Sequence, residues 1–86
     1  MSAQQPKLVQ HPDGTKIWRL NGKIHRTDGP AIENVDGTKR WYLNGEYHRT
    51  DGPAVEHADG TKIWYLNGNQ VDQLVFWVTT KEREMV

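Results

Sequence analysis

Apolar and polar positions alternate along this chain in short runs that return in the same order. In Thr38–Leu43 (TKRWYL), Lys39, Trp41 and Leu43 fall on one side of an extended chain; Thr38, Arg40 and Tyr42 fall on the other. Period-two alternation in an aromatic-rich run predicts a strand. Asn44-Gly45 follows, the pair favoured by a type I′ hairpin turn because both central residues need positive φ. Glu46–His48 is then a short return strand. Asp51-Gly52-Pro53 is turn chemistry, and Pro53 has no N–H to give to a ladder. Ala54–Ala58 resumes as a strand, and Asp59-Gly60 predicts a second tight turn. The expected product is an antiparallel meander.

Asp36–Ala58 and the preceding Asp13–Val35 align without a gap at 23 residues (36 − 13 = 23), with 16 of the 23 positions identical. A third copy begins at Asp59 (DGTKIWYLNG) and stops after Gly68. A fixed period in this range marks a repeat array. Like then falls on like. Trp18, Trp41 and Trp64 form one column, with Leu20, Leu43 and Leu66 on the same face. Arg19, Tyr42 and Tyr65 lie on the opposite face with Ile17, Arg40 and Ile63. Equivalent strands sit roughly 9–10 Å apart, two strand spacings. That is too far for Trp–Trp contact, so Ile32 and Val55 of the intervening strand are expected to fill the gaps.

The ends depart from the pattern. Residues 1–7 carry none and are expected to form a flexible arm. Residues 8–12 (LVQHP) share the phase of 31–35 and 54–58 and read as a half-repeat that caps the array. The repeat domain is then 8–70, with repeats at 13–35, 36–58 and a partial one at 59–70. In 71–86, Val71, Leu74, Val75 and Val78 fall at helical spacing and predict a capping helix with that stripe inward. Asp72 is placed as its N-cap, with Val71 and Phe76 at the staple positions. The run LVFWVT is also β-branched and aromatic enough for a strand; the spacing favours the helix. Phe76 and Trp77 cannot both belong to the stripe, so one is expected to be exposed.

Composition narrows the partners. Lys plus Arg and Asp plus Glu are 11 each, a formal net charge of zero, which disfavours nucleic acid or an anionic membrane as the main partner. There is no cysteine, hence no disulfide and no thiolate metal site. No run is long and apolar enough to span a bilayer, and no leader pattern is visible. A cytoplasmic location is the expectation.

The most chemically loaded stretches are His25-Arg26-x-Asp28 and His48-Arg49-x-Asp51. They could be an anion or nucleotide site, with Arg26 and Arg49 binding bidentately and His25 and His48 assisting. Repetition favours a structural role, because an active site needs its groups once. On that reading the Asp bonds turn amides, the His packs between hairpins and the Arg pairs with an Asp. No catalytic residue, cofactor or metal is assigned; two histidines without carboxylates at ligand spacing are a weak metal signal. The other candidate is a row of aromatic and Arg side chains of the kind that forms interface hot spots. It comprises Arg19, Arg40, Tyr42, Tyr47 and Tyr65, with Trp77 added from the helix. Partial cover by the C-terminal helix is the alternative for that row.

The signature Tyr42-x-x-Gly45-x-x-His48, followed by a DG pair that opens the next unit, resembles the membrane occupation and recognition nexus (MORN) repeat. That repeat typically has Gly after the His, where this chain has Arg26 and Arg49. The block HRTDGPA is closer to a MORN-like variant, WYxNGxxHRxDGPA, of phage, bacterial and large-virus proteins. The resemblance spans residues 13–68. It implies an elongated, twisted single-layer sheet of hairpins, often closed by a short helix after the last NG. The expectation is therefore an all-β repeat sheet of about six to seven short strands with a C-terminal capping helix. The functional expectation is a non-enzymatic protein-binding module, phage-encoded and inhibiting a host factor such as a defence system. The alternatives are a small-ligand or nucleotide site at the paired blocks, and lipid binding by MORN analogy. Open sheet edges leave room for a homodimer.

Overall fold

A computed structural model describes residues 5–84. Ten strands precede one helix: β1 (Lys7–Gln10), β2 (Lys16–Leu20), β3 (Lys23–Ile24), β4 (Ile32–Glu33), β5 (Lys39–Arg40), β6 (Tyr42–Leu43), β7 (Glu46–Tyr47), β8 (Val55–Glu56), β9 (Lys62–Leu66), β10 (Asn69–Val71) and α1 (Gln73–Glu84). The main sheet runs β1-β2-β4-β5-β8-β9-β10, with β3 also on β2, and its pairs are antiparallel. With overall dimensions of 41 × 41 × 17 Å, the molecule is flat.

Ten strands stand where six or seven were expected, because the intervening strands are broken in the middle. Trp18 N–H donates to Ala31 O, while Trp18 O accepts from His25 N. Trp41 does the same with Ala54 and His48. Each tryptophan thus straddles two half-strands, and residues 27–30 and 50–53 form an excursion out of the sheet between them. On the other flank, Arg26 N donates to Tyr42 O and Ala31 N to Arg40 O, so the next long strand meets the same break. The β6–β7 hairpin joins its neighbours through Gly45 N to Ile24 O and Gly68 N to Tyr47 O.

The turns follow their residues. Asn21, Asn44 and Asn67 have φ of 52°, 51° and 51°, each followed by a Gly at positive φ, as a type I′ turn requires. The DG connections are looser than a two-residue turn. His11 N donates to Thr15 O around a left-handed Gly14 (φ 98°), and Asp13 Oδ1 accepts from Thr15 N.

The repeat is visible in the register. Val9↔Ile17, Ile32↔Arg40 and Val55↔Ile63 are equivalent pairs one period apart. β1 therefore occupies the half-repeat position. It begins at Lys7, the last residue of the expected arm, and runs to Gln10; residues 1–4 of that arm lie outside the described residues.

The C-terminal segment is a helix, with Val75 N donating to Asp72 Oδ1 (2.8 Å) as an N-cap and Phe76 N to Asp72 O (2.9 Å). Its start and orientation correct the expected stripe: Val71 ends β10 rather than opening the helix, which begins at Gln73. Leu74 (74%), Val75 (48%) and Val78 (50%) are exposed, whereas Phe76 (0%) and Thr80 are buried. The large ring covers Trp64 (centroids 6.4 Å apart). Thr80 is tolerated inside because its hydroxyl donates to Phe76 O (3.0 Å). The part of the expected helix at residues 85–86 lies outside the described residues.

Candidate functional site

Strand parity sorts the side chains onto two faces. On one lie Trp18, Trp41 and Trp64, the excursions and α1. On the other lie Ile17, Ile32, Arg40, Val55 and Ile63, joined by Arg19 and the tyrosines. Ile32 and Val55 therefore cannot fill the gaps between tryptophans, as expected from spacing alone. Instead a guanidinium covers each of the first two rings. Arg26 Cζ lies 3.9 Å above the Trp18 ring and Arg49 Cζ 3.8 Å above Trp41.

Each guanidinium is held at Nε and Nη1. Arg49 Nε donates to Asp51 (2.8 Å), and Nη1 donates to Pro53 O (3.0 Å) and Glu56 (2.8 Å). Arg26 repeats this with Asp28 (2.8 Å), Pro30 O (3.0 Å) and a longer contact to Glu33 (3.5 Å). The excursion supplies the opposite wall. A Cβ on Gly52 would lie 2.8 Å from Arg49 Cζ, and one on Gly29 3.0 Å from Arg26 Cζ. Glycine stands there so that a guanidinium can lie between the turn backbone and the indole. The aspartates accept from the arginines rather than from the turn amides expected for them.

The histidines reach the next unit. His25 Nδ1 accepts from Asn44 N and His48 Nδ1 from Asn67 N, both at 2.9 Å. Nδ1 is thus the acceptor, and each imidazole tethers one repeat to the I′ turn of the next. A groove of about 560 Å³ lies between the excursions, lined by Arg26, Asp28, Trp41, His48, Arg49 and Asp51 among others. Of the ligand candidates, Arg26, His48 and Arg49 are thus brought together while His25 does not line the groove, and the Nε and Nη1 donors of both arginines are already engaged. In the third unit Asp72 stands one period after Arg49, and Phe76 of α1 covers Trp64 instead. That cover leaves Trp64 Nε1 buried without an acceptor.

On the other face the partner candidates converge. Tyr47 packs between Tyr42 (centroids 4.4 Å) and Tyr65 (4.7 Å), and Arg40 Nη1 donates to the Tyr47 hydroxyl (2.8 Å). Burial first, then the hydrogen bond with Tyr47, pushes the Tyr42 phenol well above its ordinary value. Arg19 sits at the end of the row, one hairpin away, opposite Lys7 and Ile24. The helix α1 packs on the Trp face through Phe76 rather than on the tyrosines; the tyrosine face is partly closed by its own side chains, with Val55 buried in it (2%). Trp77 is separate from the row: it lies on α1, edge-on to Phe76 at 5.1 Å.

The sequence reading missed Gly29, Gly52, Glu33 and Glu56 as parts of the clamp. The signal was the invariance of all four between the two full copies. No family model, curated protein or solved structure matches the chain. Among the described residues no group of three His, Asp or Glu side chains is placed to hold a metal, and no helix is long and apolar enough to cross a membrane.

Proposed function

We propose that this chain is a non-enzymatic protein-binding module of the MORN-like repeat type, whose binding surface is the open face carrying Arg19, Arg40, Tyr42, Tyr47 and Tyr65. The observation that carries the reading is the half-exposed row of three packed tyrosines bordered by arginines. Such residues dominate interface energetics because they bury large area at little rotamer cost. The resemblance of the repeat to phage and bacterial proteins supports a phage-encoded inhibitor acting in the host cytoplasm on a factor such as a defence system.

The nucleotide alternative is less supported, since Nε and Nη1 of Arg49 already hold Asp51, Pro53 and Glu56. Lipid binding is less supported because an anionic membrane favours a dense basic cluster, whereas the strands bring only Lys7, Arg19 and Arg40 to the open face.

The test is a pull-down from bacterial lysate read by mass spectrometry, repeated with Arg19→Ala/Tyr65→Ala and with the ring-keeping Arg19→Ala/Tyr65→Phe. Capture that depends on these residues at an unchanged thermal melt is the expected result. Capture indifferent to both variants would sink the open-face reading. Capture lost on replacing Arg26 and Arg49 at an unchanged melt would favour the ligand reading.

A further inference from the structure

A net charge of zero conceals a segregation by strand parity. Across the Trp face, Lys16, Glu33, Lys39, Glu56 and Lys62 are neighbours in register and alternate in sign from strand to strand. Glu46, opposite Leu43, shares that face. The open face has no strand-borne carboxylate. Its charged strand residues are Lys7, Arg19 and Arg40, and none of the ion pairs among the described residues reaches them.

Lys7 and Arg19 stand directly opposite each other in the β1–β2 register, both exposed. Like charges at that position repel, which costs the fold stability. A groove of about 560 Å³ opens at the same corner, lined by Gln5, Lys7, Val9, Arg19, Leu20 and the Asn21-Gly22 turn. Arg40 bonds only neutral acceptors, Asn34 Oδ1 (3.2 Å) and the Tyr47 hydroxyl (2.8 Å). Its charge also slightly favours ionisation of Asp36, but the Asp36 carboxylate is already held by the Thr38 amide.

We infer that the open face takes an acidic polypeptide segment, its Asp and Glu side chains meeting Lys7, Arg19 and Arg40 while its apolar residues lie on Ile17, Ile32 and Ile63. This rests on the protein-binding reading above and adds the chemistry of the partner. A polypeptide fits better than nucleic acid for two reasons. Tyr47 has a ring on either side, stacked on Tyr65 and tilted against Tyr42, so its own faces are closed to bases. The isoleucine and valine row beside them has no use for phosphates.

The experiment selects displayed random peptides on the full chain and measures the winners against Lys7→Glu/Arg19→Glu, two exposed positions without partners whose reversal leaves the fold intact. The expected winners are rich in Asp and Glu among apolar residues. They lose about tenfold or more in affinity on the reversed variant at low salt, and the loss shrinks as salt is added. Neutral or basic winners that still require Tyr65 would overturn the acidic partner and leave the protein-binding face standing. Winners indifferent to both Lys7/Arg19 reversal and Tyr65→Ala, or no enrichment at all, would overturn the face itself. Binding of oligo-dT tighter than any selected peptide would replace the polypeptide with nucleic acid.

Discussion

Arg49→Met tests the clamp most directly, because methionine keeps much of the aliphatic stem and deletes the guanidinium. The group lies 3.8 Å above Trp41 with its side chain 19% exposed, a contact worth about 1 kcal/mol. Its bond to the carbonyl of buried Pro53 contributes about 1–2 kcal/mol, because that acceptor is left unpaired without it. Glu56 adds about 1 kcal/mol and no more, since it keeps Lys39 and Lys62 as cross-strand neighbours. Asp51 is 83% exposed and contributes next to nothing. The expected loss is about 3–4 kcal/mol, a large share of the stability of so short a chain. Arg26→Met is expected to cost less, about 2–3 kcal/mol, because its contact to Glu33 is stretched to 3.5 Å. Gly52→Ala perturbs the same clamp without removing any bonding group, by pushing a methyl against Arg49 Cζ. The assay is urea unfolding followed by tryptophan fluorescence at constant slope. A loss below about 1 kcal/mol for Arg49→Met, with Gly52→Ala neutral, would refute the clamp as the element that holds each excursion over its tryptophan.

Phe76→Ala is expected to cost about 3–5 kcal/mol, whereas Leu74→Lys is expected to stay within about 0.5 kcal/mol of wild type; equal losses by calorimetry would restore the Val/Leu stripe as the buried one. Asp13, Asp36 and Asp59 are held below their ordinary carboxylate value, first by hydrogen bonds from Thr15, Thr38 and Thr61. A depressed folded pKa adds stability above the unfolded value that is lost as pH falls through the folded one. The urea midpoint should therefore hold from neutrality down to the ordinary value of 3.8 and fall below it. Replacing all three by Asn should make that fall shallower, and an identical slope would exclude the turns as its source.

The sequence by itself determined the local features and their spacing. The Asn-Gly pairs demanded positive φ at both turn positions, the alternation set which residues share a face, and the period placed β1 in the register of a missing half-repeat. Asp72 as N-cap was legible because capping is local chemistry. Only the tertiary structure decided what fills the space between the tryptophans, because that depends on which way a loop folds over a sheet. Parity sent Ile32 and Val55 to the far face, and the arginine just before each excursion covers the ring instead. The helix shows the same limit. Spacing marked Leu74, Val75 and Val78 as the apolar stripe, but the inward face was selected by the surface it meets: a tryptophan without its arginine is covered by the ring of Phe76, and the stripe is left outside. Charge followed the same rule, since a chain neutral in total becomes one mixed face and one positive face only when the strands are paired.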